Sequence, residues 1–136
     1  MLIRSLAVAV LLSSQISAQS PNLLVIVSDD QGWNDIGYHN ASVITPNLDR
    51  LAKSGVRLNQ HYVCPTCSPT RVGLLSGRYP SRFGILTPIA GKSKKALPKS
   101  TLTLASMLKT KGYETAITGK WHLGLRTEVG PRQYGF

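Results

Sequence analysis

The sequence has few cysteines, few acidic residues and no long apolar run, and each shortage excludes a class of protein. Two cysteines in 136 residues are too few for a small domain stabilised by several disulfides. The longest apolar run, residues 6–12, is too short to cross a hydrocarbon layer of roughly 30 Å, so we predict no membrane span. The sequence therefore predicts one globular domain.

Acidic residues are scarce beside basic ones. Six Asp and Glu face sixteen Lys and Arg, which gives a formal net charge of +10. Nucleic-acid binders share this excess, but they concentrate it on a basic helix or on strands with interleaved aromatic residues. Here the charges are dispersed, apart from a lysine cluster in a loop-like stretch at residues 92–99. We predict no nucleic-acid partner, because a basic surface facing an anionic substrate explains the charge equally well.

The N-terminus has the three parts of a secretory signal peptide. A short positive start ending at Arg4 precedes the apolar run at residues 6–12, and small polar residues follow up to Ala18. We predict that residues 1–18 are removed and that the mature chain is exported. Depending on the source, its location would be the periplasm, the lysosome or the extracellular space.

The mature chain alternates between β-rich apolar segments and amphipathic segments. The predicted strands are residues 23–27, 56–63 and 113–118. The predicted helices begin at Pro46 behind a Thr45 cap, near Thr70, and at Ser100 or Thr101, and they end at Gly55, Gly77 and Gly112. This alternation predicts an α/β fold with a mostly parallel sheet flanked by helices.

Three polar groups follow the predicted strands: the pair Asp29 and Asp30, the turn at residues 64–71, and Lys120 with His122. The carboxyl ends of parallel strands meet at one edge of a sheet, where ligands bind in open α/β folds. We therefore expect the three groups to lie around one site. On an extended segment Lys120 and His122 would face that site together.

Each group has more than one interpretation when taken alone. Asp29 and Asp30 suit a hard cation such as Ca²⁺ or Mg²⁺, or a turn in which they cap backbone amides. Cys64 and Cys67 have the spacing of a redox pair, of half a zinc site, or of an incidental pair in a turn. The string from Cys67 to Arg71 instead indicates an anion site at a helix N-terminus.

Several ordered motifs resemble the sulfatase family. Residues 67–71, Cys-Ser-Pro-Thr-Arg, resemble its Cys-x-Pro-x-Arg signature, and residues 112–124 resemble its second signature. Residues 29–33, 45–52 and 76–80 also fit the family. The resemblance runs from about residue 21 to residue 136, and it is closest to arylsulfatase B-like members, which act on sulfated sugars.

The resemblance implies an alkaline-phosphatase-like fold and a set of site residues. Cys67 would be converted to Cα-formylglycine by a formylglycine-generating enzyme, and the hydrated aldehyde would be the nucleophile. Asp29, Asp30 and residue 67 would bind a divalent cation, Ca²⁺ rather than Mg²⁺. Arg71 and Lys120 would hold sulfate oxygens, and His122 would move a proton on the hydrate. The substrate would be an aryl sulfate or a sulfated sugar, including a sulfated polysaccharide.

Three alternatives remain beside a sulfatase: a phosphatase or phosphodiesterase of the same fold, a non-catalytic secreted remnant, and a redox module. The first group uses Ser or Thr nucleophiles, and the last leaves Asp29 and Lys120 without a role. The resemblance further implies that residues 19–136 form the N-terminal portion of a truncated catalytic domain. We expect this portion alone to be weakly active or inactive.

Overall fold

The computed structural model describes residues 20–136, so the predicted signal peptide at residues 1–18 lies outside the described residues. These described residues contain three α-helices: α1 at Pro46–Ser54, α2 at Cys67–Ser76 and α3 at Leu104–Thr110. Short 3-10 helices lie at Pro80–Phe83, Thr127–Val129 and Pro131–Tyr134. No helix within residues 20–136 is long and apolar enough to cross a membrane.

The three predicted strands do not pair in the structure. Residues 23–27, 56–63 and 113–118 form neither helix nor strand, and no backbone hydrogen bond joins one of these segments to another. A strand exists only as part of a ladder, so an apolar β-rich segment without a partner stays irregular. The parallel sheet of the predicted α/β fold is therefore not formed within the described part of the chain, so the structure does not confirm this part of the prediction.

The helices follow the sequence signals more closely. α1 begins at Pro46 behind Thr45 and ends at Gly55, as predicted. α2 begins three residues earlier than the predicted Thr70, because Pro69 lies in the first turn, where its missing N–H costs no helical hydrogen bond. α3 begins later than predicted, behind a Thr103 cap whose hydroxyl accepts a hydrogen bond from the Ser106 N–H.

A small core holds α2 against the segments that follow it. Its fully buried members come from α2, from the loop at residues 85–97 and from the chain around residues 123 and 134, and they are Val72, Ile85, Ile89, Leu97, Leu123 and Tyr134. The Leu97 N–H donates to the Leu123 carbonyl at 2.8 Å, and the Tyr134 hydroxyl donates to the Leu97 carbonyl. The core thereby fixes the loop and the segment at residues 120–124 beside the N-terminal turn of α2.

Apolar side chains outside this core are widely exposed. Leu24 and Ile26 of the first predicted strand are 84% and 76% exposed, and Val56, the first residue of the second, is 89% exposed. The amphipathic face of α1 is also open, since Leu51 is 63% exposed. Residues 23–27 and 56–63 are thus exposed along their whole length, whereas residues 113–118 are partly buried.

Candidate active site

A cluster of one carboxylate and two cations joins three distant parts of the chain. The Arg71 guanidinium, on the second turn of α2, contacts Asp29 with 2.8 Å between Nη2 and Oδ2. The Lys120 ammonium lies 3.1 Å from the same oxygen and 3.3 Å from Oδ1. Arg71 also donates through Nη1 to the backbone carbonyl of Lys120. The three side chains form a single charged site, with Asp29 between the two cations.

The charges of this cluster set the pKa values of its members. Hydrogen bonds from Arg71 and then Lys120 hold the pKa of Asp29 below its ordinary value. The hydrogen bond to Asp29 raises the pKa of Lys120, and the charges of Asp29 and Cys67 act in the same direction. Asp29 is therefore ionised and Lys120 protonated across the neutral range, and one net positive charge remains on the cluster to face an anion.

Cys67 is the first residue of α2, one helical turn before Arg71. Cys67 is half-buried and its thiol is free, as is the thiol of Cys64, so no disulfide joins the two in the structure. The Cys64 carbonyl accepts a hydrogen bond from the Thr70 hydroxyl at 2.7 Å, which folds the preceding turn onto the helix. Residue 67 is thus presented at a helix N-terminus beside two cations.

His122 lies on the other side of the α2 N-terminus. Its backbone has a φ of 58°, the left-handed region that non-glycine residues rarely adopt, so the segment is not extended at this residue. Ser68 Oγ donates to the His122 carbonyl at 2.7 Å. The imidazole Nε2 lies 3.0 Å from the Ile89 carbonyl, and Nδ1 is buried without a hydrogen-bond partner in the structure.

Carboxylate oxygens are the donors that a hard cation takes, so Asp29 and Asp30 fit such an ion by chemical type. Two carboxylate side chains are too few ligands to complete a cation site. Within residues 20–136, no three side chains of His, Cys, Asp or Glu come together as a metal-binding group. Both oxygens of Asp29 already contact cationic groups, and Ca²⁺ takes about 6–8 oxygen ligands.

The structure brings together some of the predicted site residues and not others. Asp29, Arg71 and Lys120 are in direct contact, and Cys67 is close enough for its charge to act on Lys120. His122 is joined to this group through Ser68, whereas the Asp30 side chain makes no hydrogen bond to the other described residues. Sequence reasoning missed Ser68 and Ile89, because a backbone contact from a loop at residue 89 leaves no pattern in the sequence.

Sequence comparison gives a consistent result. The family model described as Sulfatase matches residues 21–136. The steryl-sulfatase of Mus musculus is 47% identical over 113 residues, which cover 77% of this chain and 18% of that protein. The arylsulfatase A of Bos taurus is 43% identical over 125 residues, which cover 88% of this chain and 25% of that protein. The chain therefore spans about a fifth to a quarter of the length of these relatives.

Solved structures agree with the sequence comparison. The crystal structure of Ps i-CgsB superposes with a TM-score of 0.81 at 37% identity, over 87% of this chain and 27% of that chain. A sulfatase from Pseudoalteromonas sp. superposes with a TM-score of 0.69 at 37% identity, over 79% of this chain and 23% of that chain. The backbone therefore follows the fold of sulfatases although its apolar segments do not pair as strands. With a family match over residues 21–136 that includes the Cys67–Arg71 string, the chain belongs to the sulfatase family.

Proposed function

We propose that the protein hydrolyses sulfate esters through a Cα-formylglycine made from Cys67 by a formylglycine-generating enzyme. The observation that carries the proposal is the position of residue 67 at the start of α2, one helical turn before Arg71, whose guanidinium contacts the Lys120 carbonyl and shares Asp29 with the Lys120 ammonium. A sulfate ester is an anion, and its transfer places further negative charge on the sulfate oxygens. Fixed cations at such a site stabilise that charge.

Formylglycine supplies a hydrated aldehyde whose hydroxyl attacks the sulfur of the ester. Arg71 holds the sulfate oxygens in one orientation, because its guanidinium is fixed by Asp29 and by the Lys120 carbonyl. Lys120 adds a second positive charge at the same site. The attacking hydroxyl displaces the alcohol from sulfur, and the alcohol leaves with the proton that this hydroxyl releases. His122 then takes a proton from the second hydroxyl of residue 67, so that the carbon–oxygen bond to sulfate breaks, sulfate leaves and the aldehyde is restored.

Asp29 and Asp30 would contribute to a divalent-cation site together with residue 67, and Ca²⁺ suits carboxylate oxygens better than Mg²⁺ does when few waters are retained. The cation would polarise the sulfate and neutralise its charge. Since the described residues supply too few ligands, we propose that further ligands come from the rest of a protein as long as its relatives. We expect residues 19–136 alone, even with formylglycine formed, to hydrolyse a chromogenic aryl sulfate weakly or not at all.

The substrate class is a sulfated sugar or an aryl sulfate. One solved structure at 36% identity and a TM-score of 0.81 is of Ps i-CgsB in complex with k-i-k-neocarrahexaose, which supports a sulfated polysaccharide. The signal-peptide pattern of residues 1–18 supports export to the periplasm, the lysosome or the extracellular space.

The test is to express the complete gene in a host with the modifying enzyme and to analyse the peptide that contains residue 67. Mass spectrometry should show an aldehyde in place of the thiol, and the protein should hydrolyse an aryl sulfate. Cys67→Ala should abolish turnover, whereas Cys64→Ala should keep it, since Cys64 lies outside the signature. An unmodified Cys67 in a protein that still hydrolyses sulfate esters would refute the proposal, as would faster hydrolysis of the matching aryl phosphate.

A further inference from the structure

A closed ring of three hydrogen bonds links the start of α2 to His122. Ser68 Oγ donates to the His122 carbonyl at 2.7 Å and accepts the Ile89 N–H at 3.1 Å. The His122 ring also contacts Ile89, with 3.0 Å between Nε2 and the Ile89 carbonyl. Ser68 is fully buried, so water does not compete for these bonds. The hydroxyl of Ser68 is therefore the group that ties the backbone of His122 to the backbone that orients its ring.

The ring of bonds fixes which nitrogen of His122 carries the proton. A backbone carbonyl only accepts, so Nε2 must be the donor to Ile89. In the neutral imidazole Nδ1 then has a free lone pair. That nitrogen is buried and has no partner in the structure, and a buried acceptor without a partner calls for an explanation. A catalytic base explains it, because such a base needs a free lone pair to accept a proton from the substrate or the nucleophile.

The geometry around Ser68 also accounts for the unusual backbone of His122. A non-glycine residue with a φ of 58° persists only where its surroundings hold it there. Ser68 holds the carbonyl of this residue, and Ile89 is anchored by its own side chain in the core, where it is 3% exposed. The core thus fixes Ile89, and Ile89 together with Ser68 fixes both the backbone and the ring of His122.

We propose that Ser68 is a positioning residue that, with the backbone of Ile89, holds His122 in its Nε2–H tautomer, so that Nδ1 is the atom that accepts the proton from residue 67. This inference rests on the proposed function, because it assigns His122 its reacting atom. When Nδ1 takes the proton, the ring becomes an imidazolium and its Nε2–H stays on the Ile89 carbonyl. The residue 67 hydroxyl that loses this proton becomes the aldehyde carbonyl as the carbon–oxygen bond to sulfate breaks. The electron pair of that bond leaves on the sulfate, whose added negative charge balances the positive charge of the imidazolium.

The matched variants are Ser68→Ala and Ser76→Ala in the protein expressed from the complete gene. Both remove a hydroxyl from α2 that donates to a backbone carbonyl, since Ser76 Oγ donates to the Val72 carbonyl at 2.6 Å. Only Ser68→Ala opens the ring of bonds. We expect it to lower kcat by about 10- to 100-fold with KM nearly unchanged, which is the usual effect of losing a group that orients a reacting residue. Ser76→Ala should keep both constants, and Ser68→Thr, which retains a hydroxyl, should recover most of kcat.

Two further readouts separate this role from other causes. The aldehyde content of residue 67, measured by mass spectrometry, should be the same in Ser68→Ala as in the unchanged protein. A loss of kcat that follows a loss of aldehyde would overturn the inference, because Ser68 would then act in modification. An equal loss in Ser76→Ala, or no loss in Ser68→Ala, would overturn it as well.

The unchanged protein provides a test that depends on no variant. Proton–nitrogen correlation spectra of the ¹⁵N-labelled imidazoles distinguish the two tautomers of His122, with assignment by a His122→Gln sample. We expect the Nε2–H form, and observation of the Nδ1–H form would overturn the inference even if every variant failed to fold. If the protein lacks sulfatase activity while the Nε2–H form is present, the proposed function fails and the positioning of His122 by Ser68 stands.

Discussion

Asp29 affects both the stability of the fold and the geometry of the site. It contacts Arg71 and Lys120 at 2.8 and 3.1 Å, and its side chain retains 25% of its exposure. A partly exposed carboxylate between two cations is screened by water and salt, so its contribution to stability is modest. Its larger effect is on geometry, because it holds the two cations on one side of residue 67.

The lowered pKa of Asp29 predicts a pH-dependent effect of Asp29→Asn. A carboxyl whose pKa is lower in the folded state stabilises the fold above its unfolded pKa of about 3.9, and this stabilisation disappears as the pH falls through the folded value. Urea unfolding should therefore show Asp29→Asn to be less stable than the unchanged protein at pH 7, with the difference shrinking below about pH 4.

Asp30→Asn is the control for this measurement, in the presence of a chelator. Its carboxylate belongs to none of the ion pairs of residues 20–136, so its removal should change the free energy of unfolding less than Asp29→Asn does at pH 7. An Asp29→Asn effect that persists unchanged at pH 3 would contradict the ion-pair explanation.

At the scale of elements, the N-terminus of α3 connects a helix to the end of the chain. Thr103 and Ser106 form a capping box, in which each side chain accepts from the other residue's backbone N–H at 3.1 and 2.8 Å. The Thr103 hydroxyl also donates to the Tyr134 carbonyl. One buried hydroxyl therefore serves both the cap and the packing of the last 3-10 helix.

Thr103→Ala should lower the free energy of unfolding by about 2 kcal/mol, which is the upper range for loss of a cap, because the Tyr134 carbonyl also loses its donor. Thr103→Ser keeps the hydroxyl and removes one methyl group, so it should cost about 1 kcal/mol or less. Chemical denaturation of both variants measures the difference. Equal losses would show that the methyl group, and not the hydrogen bonds, matters at this position.

Gly135 packs directly on the backbone of the same helix. Its φ is 98°, and a Cβ atom there would lie 2.4 Å from the Ser106 nitrogen. Gly112, at the other end of α3, has a φ of 82° and nothing within 4 Å of a Cβ. Alanine at either position meets the left-handed penalty of about 1–2 kcal/mol. Because only Gly135 also meets this close contact, Gly135→Ala should be less stable than Gly112→Ala by about 1–3 kcal/mol, the typical cost of overpacking.

Among the predicted elements, the ends of the helices are the feature that the sequence predicts well. Helix ends marked by Thr45, Pro46 and Gly55 agree with the structure, because the backbone preferences of these residues are local. The predicted strands are not confirmed, because strand pairing depends on a neighbouring strand that no local pattern supplies. At the site, the contact of Arg71 with Lys120 and Asp29 follows from the predicted convergence of the polar groups. The ring through Ile89 does not, since it uses backbone atoms of a loop.

At the scale of the whole molecule, the open apolar segments dominate the behaviour of residues 19–136 as a separate polypeptide. Exposed apolar patches of this kind promote association. We expect sedimentation velocity to show oligomers, and the double variant Leu24→Lys and Ile26→Lys to reduce them, because these two side chains are 84% and 76% exposed.

The matched control adds the same two charges at exposed polar positions, Ser81→Lys and Thr87→Lys. It should leave the association largely unchanged if the apolar segment, and not net charge, is responsible. A monomeric unchanged polypeptide at micromolar concentration would contradict the prediction.

The site also has a consequence for the time course of folding. The contact between Lys120 and Asp29 spans 91 positions of the sequence, and the bond from Ser68 to the His122 carbonyl spans 54. Contacts that close long loops form slowly, because the chain loses conformational entropy on closing the loop before the energy of the contact compensates for it. The hydrogen bonds within helices α2 and α3 close only short loops and form on a much shorter timescale. Until these distant contacts form, residue 67 lacks the surroundings that half-bury it in the structure, so it is more accessible early in folding than in the folded chain.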